Sequence, residues 1–193
     1  VMQALKNYVN HPALVIQTDD SKIIAGLTPD ANGYVEVAAA VSGTWNAKGI
    51  KDLLGDNMGA AKLPTVEIAG EQKQLVTYMG CKLIGVNGYS KNVGEAHKLA
   101  QWLTNEQNQT LRFEKRGLGP SNIKAAAADA VKADPALSAL AAQMPFCTAQ
   151  NVGGNFWSPA ATLGGILAAG NPDNVALSEL LKTAVDGIEA PPA

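Results

Sequence analysis

The chain has 193 residues, 47% of them hydrophobic but only 17% charged and 5% aromatic, so small side chains supply much of its apolar content. With 15 basic and 17 acidic residues the net charge is -2, and the absence of a basic patch disfavours a nucleic-acid partner. No apolar run reaches the roughly 18 residues of a membrane span, and at about 150 residues per domain the length allows one domain or two small ones.

Met2, Leu5 and Val9 share one face and predict that residues 2–9 are the end of a helix. Thr18, Asp19 and Asp20 are caps for a short second helix carrying Ile23, Ile24 and Leu27. Asp30-Ala31-Asn32-Gly33 lacks the ligand alternation and distal Glu of a calcium loop and reads as a turn. The run Val35–Val41, apolar and β-branched at both ends, predicts a buried strand closed by Ser42 and Gly43. Thr44-Trp45-Asn46 then opens a helix with Ile50, Leu53 and Leu54 inward, stopped by Gly55-Asp56-Asn57. Met58–Leu63 predicts a strand ending at Pro64, and Glu67–Lys73 a polar hairpin tip. Leu75–Tyr78 and Lys82–Val86 predict two further strands.

Asn92 caps a helix running to about Leu103, and a second helix with Leu111 and Phe113 stops at Gly117-Leu118-Gly119-Pro120. Two Ala-rich helices follow near 122–132 and 135–143, with Asp134 as cap and Pro135 at the first helical position. Beyond Gly153 and Gly154 a helix covers about 159–169. The last helix follows Asn171-Pro172-Asp173, buries the stripe Leu177, Leu180, Leu181, Ala184, Val185 and Ile188, and ends at Pro191 and Pro192. Helices separated by four or five short strands give an α/β or α+β class.

Catalytic chemistry is not assembled in this sequence. His11 and His97 stand apart, and there is no Gly-x-Ser-x-Gly elbow, no phosphate loop and no His-Glu-x-x-His. Gly117-x-Gly119 follows a helix rather than a strand, so a helix cap explains it. No catalytic residue, metal site or cofactor is expected. Cys81 and Cys147 have no Cys-x-x-Cys spacing. They are two structural thiols or, in an exported protein, a single bridge.

The tryptophans carry the remaining signal. Trp102 lies in an amphipathic helix near Leu99 and Leu103, where packing accounts for it. Trp45 and Trp157 instead sit at helix starts in polar, glycine-rich settings: Ser42-Gly43-Thr44-Trp45-Asn46 and Gly153-Gly154-Asn155-Phe156-Trp157-Ser158. A ring at a helix mouth can stack on the apolar face of a sugar, while Asn, Thr or Ser meets the hydroxyls. Each Trp alone reads as a lid on a core ahead of a ligand platform; the pair with the same polar neighbours shifts the reading towards binding.

Val37–Asn46, then Gly59-Ala60-Ala61-Lys62-Leu63-Pro64-Thr65, resembles a stretch of bacterial extracellular solute-binding proteins, the receptors of ABC importers, in their maltose and maltodextrin group. Gly85-Val86-Asn87-x-Tyr89-Ser90-Lys91-Asn92 with the helix to Thr104-Asn105-Glu106 resembles a later stretch. Gly119-Pro120-Ser121-Asn122 resembles the turn before the Ala-rich helices, and Asn155-Phe156-Trp157 the aromatic pair of the sugar cleft. The resemblance implies an α/β, type II periplasmic-binding-protein-like fold, C-terminal portion only, with helices around a short mixed sheet. It implies that 1–73 and 130–193 belong to the C-terminal lobe, that 74–118 crosses to the N-terminal lobe, and that 119–129 is the hinge return. The first half would lie upstream, which agrees with a start at Val1 that has neither initiator Met nor signal peptide.

The function implied is capture of maltose- or maltodextrin-type oligosaccharides between two lobes, with no enzymatic step. The resemblance places Trp45, Asn46, Asn155, Phe156 and Trp157 at the ligand. At Ser158 some maltodextrin receptors carry a further aromatic, so one subsite differs. The implied partners are the sugar and the membrane permease subunits, with an extracellular or periplasmic location and a lipoprotein anchor in the full-length form. The isolated chain is expected to self-associate. The alternatives are a receptor for another sugar or a polyol, and an unrelated α/β interaction module.

Overall fold

A computed structural model describes residues 1–17 and 19–191, with Asp20 described by its backbone alone. Thr18, read as a cap, and Pro192, read as a helix stop, lie outside the described residues. The first half of the chain carries α1 (Met2–Val9), α2 (Asp20–Leu27), α3 (Ala47–Leu54), β1 (Thr65–Ile68), β2 (Glu71–Gln74), β3 (Thr77–Met79) and α4 (Val93–Thr104). The second half carries α5 (Glu106–Arg116), α6 (Ile123–Ala126), α7 (Asp129–Lys132), α8 (Pro135–Gln143), β4 (Cys147–Ala149), α9 (Trp157–Ala168) and α10 (Leu177–Glu189).

Short polar side chains cap some of the helices, although Asn92, expected to cap α4, makes no side-chain capping bond. Asp19 Oδ1 accepts the Ser21 N–H at 2.7 Å, Asn105 Oδ1 the Asn108 N–H at 2.8 Å, and Asp134 Oδ1 the Leu137 N–H at 2.9 Å. Each such cap contributes about 1 kcal/mol by satisfying an orphan donor of the first turn. Gly117 ends α5 in the left-handed conformation, φ 65°, which costs a residue without Cβ nothing. The first Ala-rich helix is two single turns, α6 and α7, because Ala128 leaves the helical path between them with φ -60° and ψ 139°.

The core gathers on the last two helices. Leu167 of α9 is wholly buried, and Leu180 and Ala184 are buried on α10, which packs against α9. Gly187 lets the end of α10 close on the start of α9: a Cβ there would lie 2.9 Å from Pro159 Cγ. The two helices are therefore antiparallel. α1 lies across both, and Asn10 Nδ2 ties it down by donating to the Leu167 carbonyl at 2.8 Å. Leu27 and Leu137 add smaller buried points, and Val37 packs on the buried Gly26.

The strands form two separate pairs rather than one sheet. β1 and β2 are an antiparallel hairpin, Thr65 facing Gln74 and Ile68 facing Glu71. Ala69 and Gly70 turn it with φ 54° and 82°, the positive pair that a two-residue hairpin turn requires. The buried Gln143 of α8 holds its base: Oε1 accepts the Leu63 N–H and Nε2 donates to the Leu75 carbonyl, both at 3.0 Å. β3 and β4 are parallel, with Thr77 facing Cys147, Tyr78 facing Thr148 and Met79 facing Ala149.

Three strand expectations fail. Val35–Val41, Met58–Leu63 and Lys82–Val86 have irregular backbone. β-Branched residues favour an extended chain, but no strand among the described residues pairs with these runs, and Leu83 is 88% exposed. The expected strand at Leu75–Tyr78 starts two residues later, and β4 was not anticipated. The disulfide is excluded, since both thiols are free. Cys147 faces Thr77 across the pair, so Cys81 stands four positions along, roughly 13 Å at strand rise, well past the ~7 Å limit for bridging Cα atoms.

Much of the surface is open. The chain exposes 13711 Å². A compact monomer of its 20.0 kDa mass would expose about 8,700 Å², so about 5,000 Å² is in excess. Leu99 and Trp102 on α4 lie in this open surface, Trp102 58% exposed. Packing within this chain therefore does not account for Trp102, contrary to the expectation from its amphipathic helix.

Candidate functional site

Two helix mouths carry the expected residues, and both have the same build. A glycine with extended backbone precedes a single 3-10 turn that runs into an α-helix: Gly43, Thr44–Asn46, then α3, and Gly153, Gly154–Phe156, then α9. The first turn packs on α8 and the second on α10.

At the first mouth the six-membered ring of the Trp45 indole lies against Gly43. A Cβ on Gly43 would sit 2.1, 2.2 and 2.4 Å from three carbons of the six-membered ring. The glycine is thus a floor for the ring, and Trp45 is 67% exposed. Asn46 Nδ2 donates to Ser42 Oγ at 2.9 Å and closes the turn beneath it.

At the second mouth three rings meet. Phe156 is edge-to-face with Trp157, centroids 5.1 Å apart and planes at 86°. It is also edge-to-face with Tyr78 of β3, at 5.7 Å and 82°. Phe156 is half-buried between its neighbours, whereas Trp157 is 53% exposed. Asn155 Nδ2 donates to the Ala190 carbonyl at 2.6 Å, anchoring the turn to the end of α10. Asn155, Phe156 and Trp157 thus form one cluster, and Trp45 with Asn46 forms another.

Sequence reasoning missed Tyr78 and Gly43. The glycine was legible in principle, as a residue without side chain two positions before a Trp. Tyr78 was not, because its partner is set by a strand pairing 70 positions away.

The remaining polar groups are structural. His11 Nδ1 accepts the Ala13 N–H at 3.2 Å. Asp30 Oδ1 accepts the Tyr34 N–H at 2.9 Å and the Asn32 N–H at 2.8 Å. These two donors, Tyr34 first, hold its carboxyl below the usual carboxylate range, and the turn reading stands. Among the described residues no three His, Cys, Asp or Glu gather as metal ligands, and no helix is long and apolar enough to cross a membrane.

Residues 3–139 match the family model described as bacterial extracellular solute-binding protein. The chain belongs to this family. Its members are binding proteins, not enzymes, and they work outside the cytoplasm. A galactooligosaccharide-binding protein of Bacillus subtilis (strain 168) is 32% identical over 160 residues, which is 80% of this chain and 37% of that protein. A structure solved with acarbose superposes with a TM-score of 0.78 at 29% identity, over 95% of this chain and 48% of that one. A maltodextrin binding protein from L. casei BL23, solved without ligand, has a TM-score of 0.78 at 22% identity, over 98% and 51%. The fold is therefore α/β and periplasmic-binding-protein-like, and the chain spans about 37% to 51% of the length of these relatives.

Proposed function

We propose that the chain forms part of the substrate-binding component of a carbohydrate ABC importer and holds maltose- or maltodextrin-type oligosaccharides by stacking and hydrogen bonding. The observation that carries this is the pair of exposed indoles, Trp45 against Gly43 and Trp157 against Phe156. A fixed exposed ring costs little entropy when a flat apolar face arrives. Asn46 and Asn155 bring amides to the same turns. Phe156 contributes by backing Trp157.

Residues 1–73 and 130–193 are assigned to one lobe, 74–118 to a crossing into the other and 119–129 to the return. Pockets favour domain interfaces, and ligand contacts on two lobes bias a closed state. The roughly 5,000 Å² of excess surface supports cover by the rest of a full-length protein, or by a second copy when the chain is alone. The permease partner and a lipid-anchored, extracellular location belong to the same proposal.

A second reading, galactose-containing oligosaccharides, is favoured by the Bacillus relative and by Ser158 in place of a third aromatic. Calorimetry of the full-length protein against maltose, maltotriose, acarbose and galacto-oligosaccharides tests both. Heat from the malto-series supports the first, heat from the galacto-series alone supports the second, and silence across the panel refutes both.

A further inference from the structure

We infer that Tyr78 is a positioning residue for Trp157, acting through Phe156, so that strand β3 sets the angle of the sugar-stacking ring. This rests on the sugar-binding reading for its consequence, although its geometry does not depend on a ligand.

Edge-to-face contact is directional, because the positive rim of one ring seeks the negative face of the other. Phe156 makes two such contacts, at 82° to Tyr78 and at 86° to Trp157. Its own tilt is therefore fixed from one side by Tyr78 and passed to Trp157 on the other. Trp157 is the first residue of α9 and more than half exposed. Phe156 meets its ring edge-to-face at 5.1 Å and so constrains it laterally.

Tyr78 is well placed to give a fixed reference. It is the middle residue of β3, paired in register with Thr148 of β4. The backbone pairing continues one step, with the Gln150 N–H donating to the Met79 carbonyl at 3.3 Å. From Thr148 the chain runs on to Phe156, whose ring returns to Tyr78. The segment 148–156 is thus held to the same strand at both ends, by backbone at one and by a ring at the other. In the proposed lobe assignment β3 leads directly into the crossing segment. A shift of β3 as the lobes close would then turn Trp157 with it.

Two variants separate ring contact from strand integrity: Tyr78→Phe keeps the ring, and Tyr78→Leu removes it. Tyr78→Val, suited to a strand, stands in should Tyr78→Leu misfold. The first measurement is near-UV circular dichroism and acrylamide quenching of the full-length protein with Trp157 as its sole tryptophan. Tyr78→Leu should lose the Trp157 dichroic band and quench more readily while far-UV dichroism is unchanged, and Tyr78→Phe should match the parent. The second is maltotriose binding with all native tryptophans present. Tyr78→Leu should weaken it by about three- to tenfold, the reach of one edge-to-face contact, with Tyr78→Phe unaffected. A folded Tyr78→Leu or Tyr78→Val protein whose Trp157 signals equal the parent's overturns the inference. If the parent binds no sugar, the stacking function falls, while the spectral comparison still decides whether Tyr78 positions Trp157.

Discussion

Replacing Gly43 with Ala puts a methyl group where the Trp45 ring already lies. The new Cβ would be 2.1 to 2.4 Å from three ring carbons, against about 3.5 Å for the closest ordinary carbon contact, so the ring must retreat by about 1.1 to 1.4 Å. The backbone at 43 has φ -93° and ψ 164°, which Ala adopts freely. The whole effect therefore falls on the ring. Because Trp45 is 67% exposed, it can swing into solvent, and the fold should lose only about 0.5–1.5 kcal/mol, the scale of a displaced rotamer. Sugar binding should suffer far more. A displaced aromatic anchor costs about 2 kcal/mol, or roughly 30-fold in Kd. The assay is calorimetry on the full-length protein with maltotriose or whichever panel sugar binds. Gly49→Ala is the control: nothing lies within 4 Å of a Cβ there, so binding should hold and α3 should gain up to about 1 kcal/mol. Gly43→Ala binding within about twofold of the parent would refute the floor argument.

Other outcomes follow from the same contacts. Gln143→Leu should cost about 2–4 kcal/mol in urea unfolding, because it orphans the Leu63 N–H and the Leu75 carbonyl at a part-buried site; a loss below about 0.5 kcal/mol would count against the clamp. Asp30 has a lowered folded-state pKa, so its turn is fully supported above the unfolded value of about 3.9 and loosens as the pH falls through the lower folded value. The Tyr34 and Asn32 amide shifts should titrate together there, and amides that titrate at or above the unfolded value would refute it. The isolated chain should self-associate in light scattering, and Trp102→Glu should reduce the mass observed; a monomeric parent chain would refute this.

Local signals in the sequence located most helices. Asp19, Asn105 and Asp134 cap where short polar residues precede apolar periodicity, and Gly117 stops α5 because its φ is positive. The stripe on α10 buries Leu180 and Ala184 as its spacing implies, but Leu181 and Val185, expected inside with them, are exposed. Strands were harder, since pairing is non-local. Val35–Val41 has strand composition but no strand beside it among the described residues, whereas Cys147–Ala149 has no alternation to show and is a strand because β3 lies beside it. Polar Glu71–Gln74 extends because Ala69-Gly70 turns the chain back on Thr65–Ile68. At the site, the helix-mouth tryptophans were legible from their glycines and amides. The floor under Trp45 and the third ring behind Trp157 were not, since both depend on where a side chain lands in space. Trp102 misled because an amphipathic stripe shows that a face seeks cover, not which part of the molecule supplies it.

The central claim is that Trp45 and Trp157 are sugar platforms. It is tested most directly by calorimetry of the full-length protein, comparing the parent with Trp45→Ala and Trp157→Ala against the tightest-binding oligosaccharide. Each variant should keep its fold and lose about 2–4 kcal/mol of binding free energy, the range of an aromatic hot spot. Folded variants that bind the sugar as tightly as the parent would contradict the account.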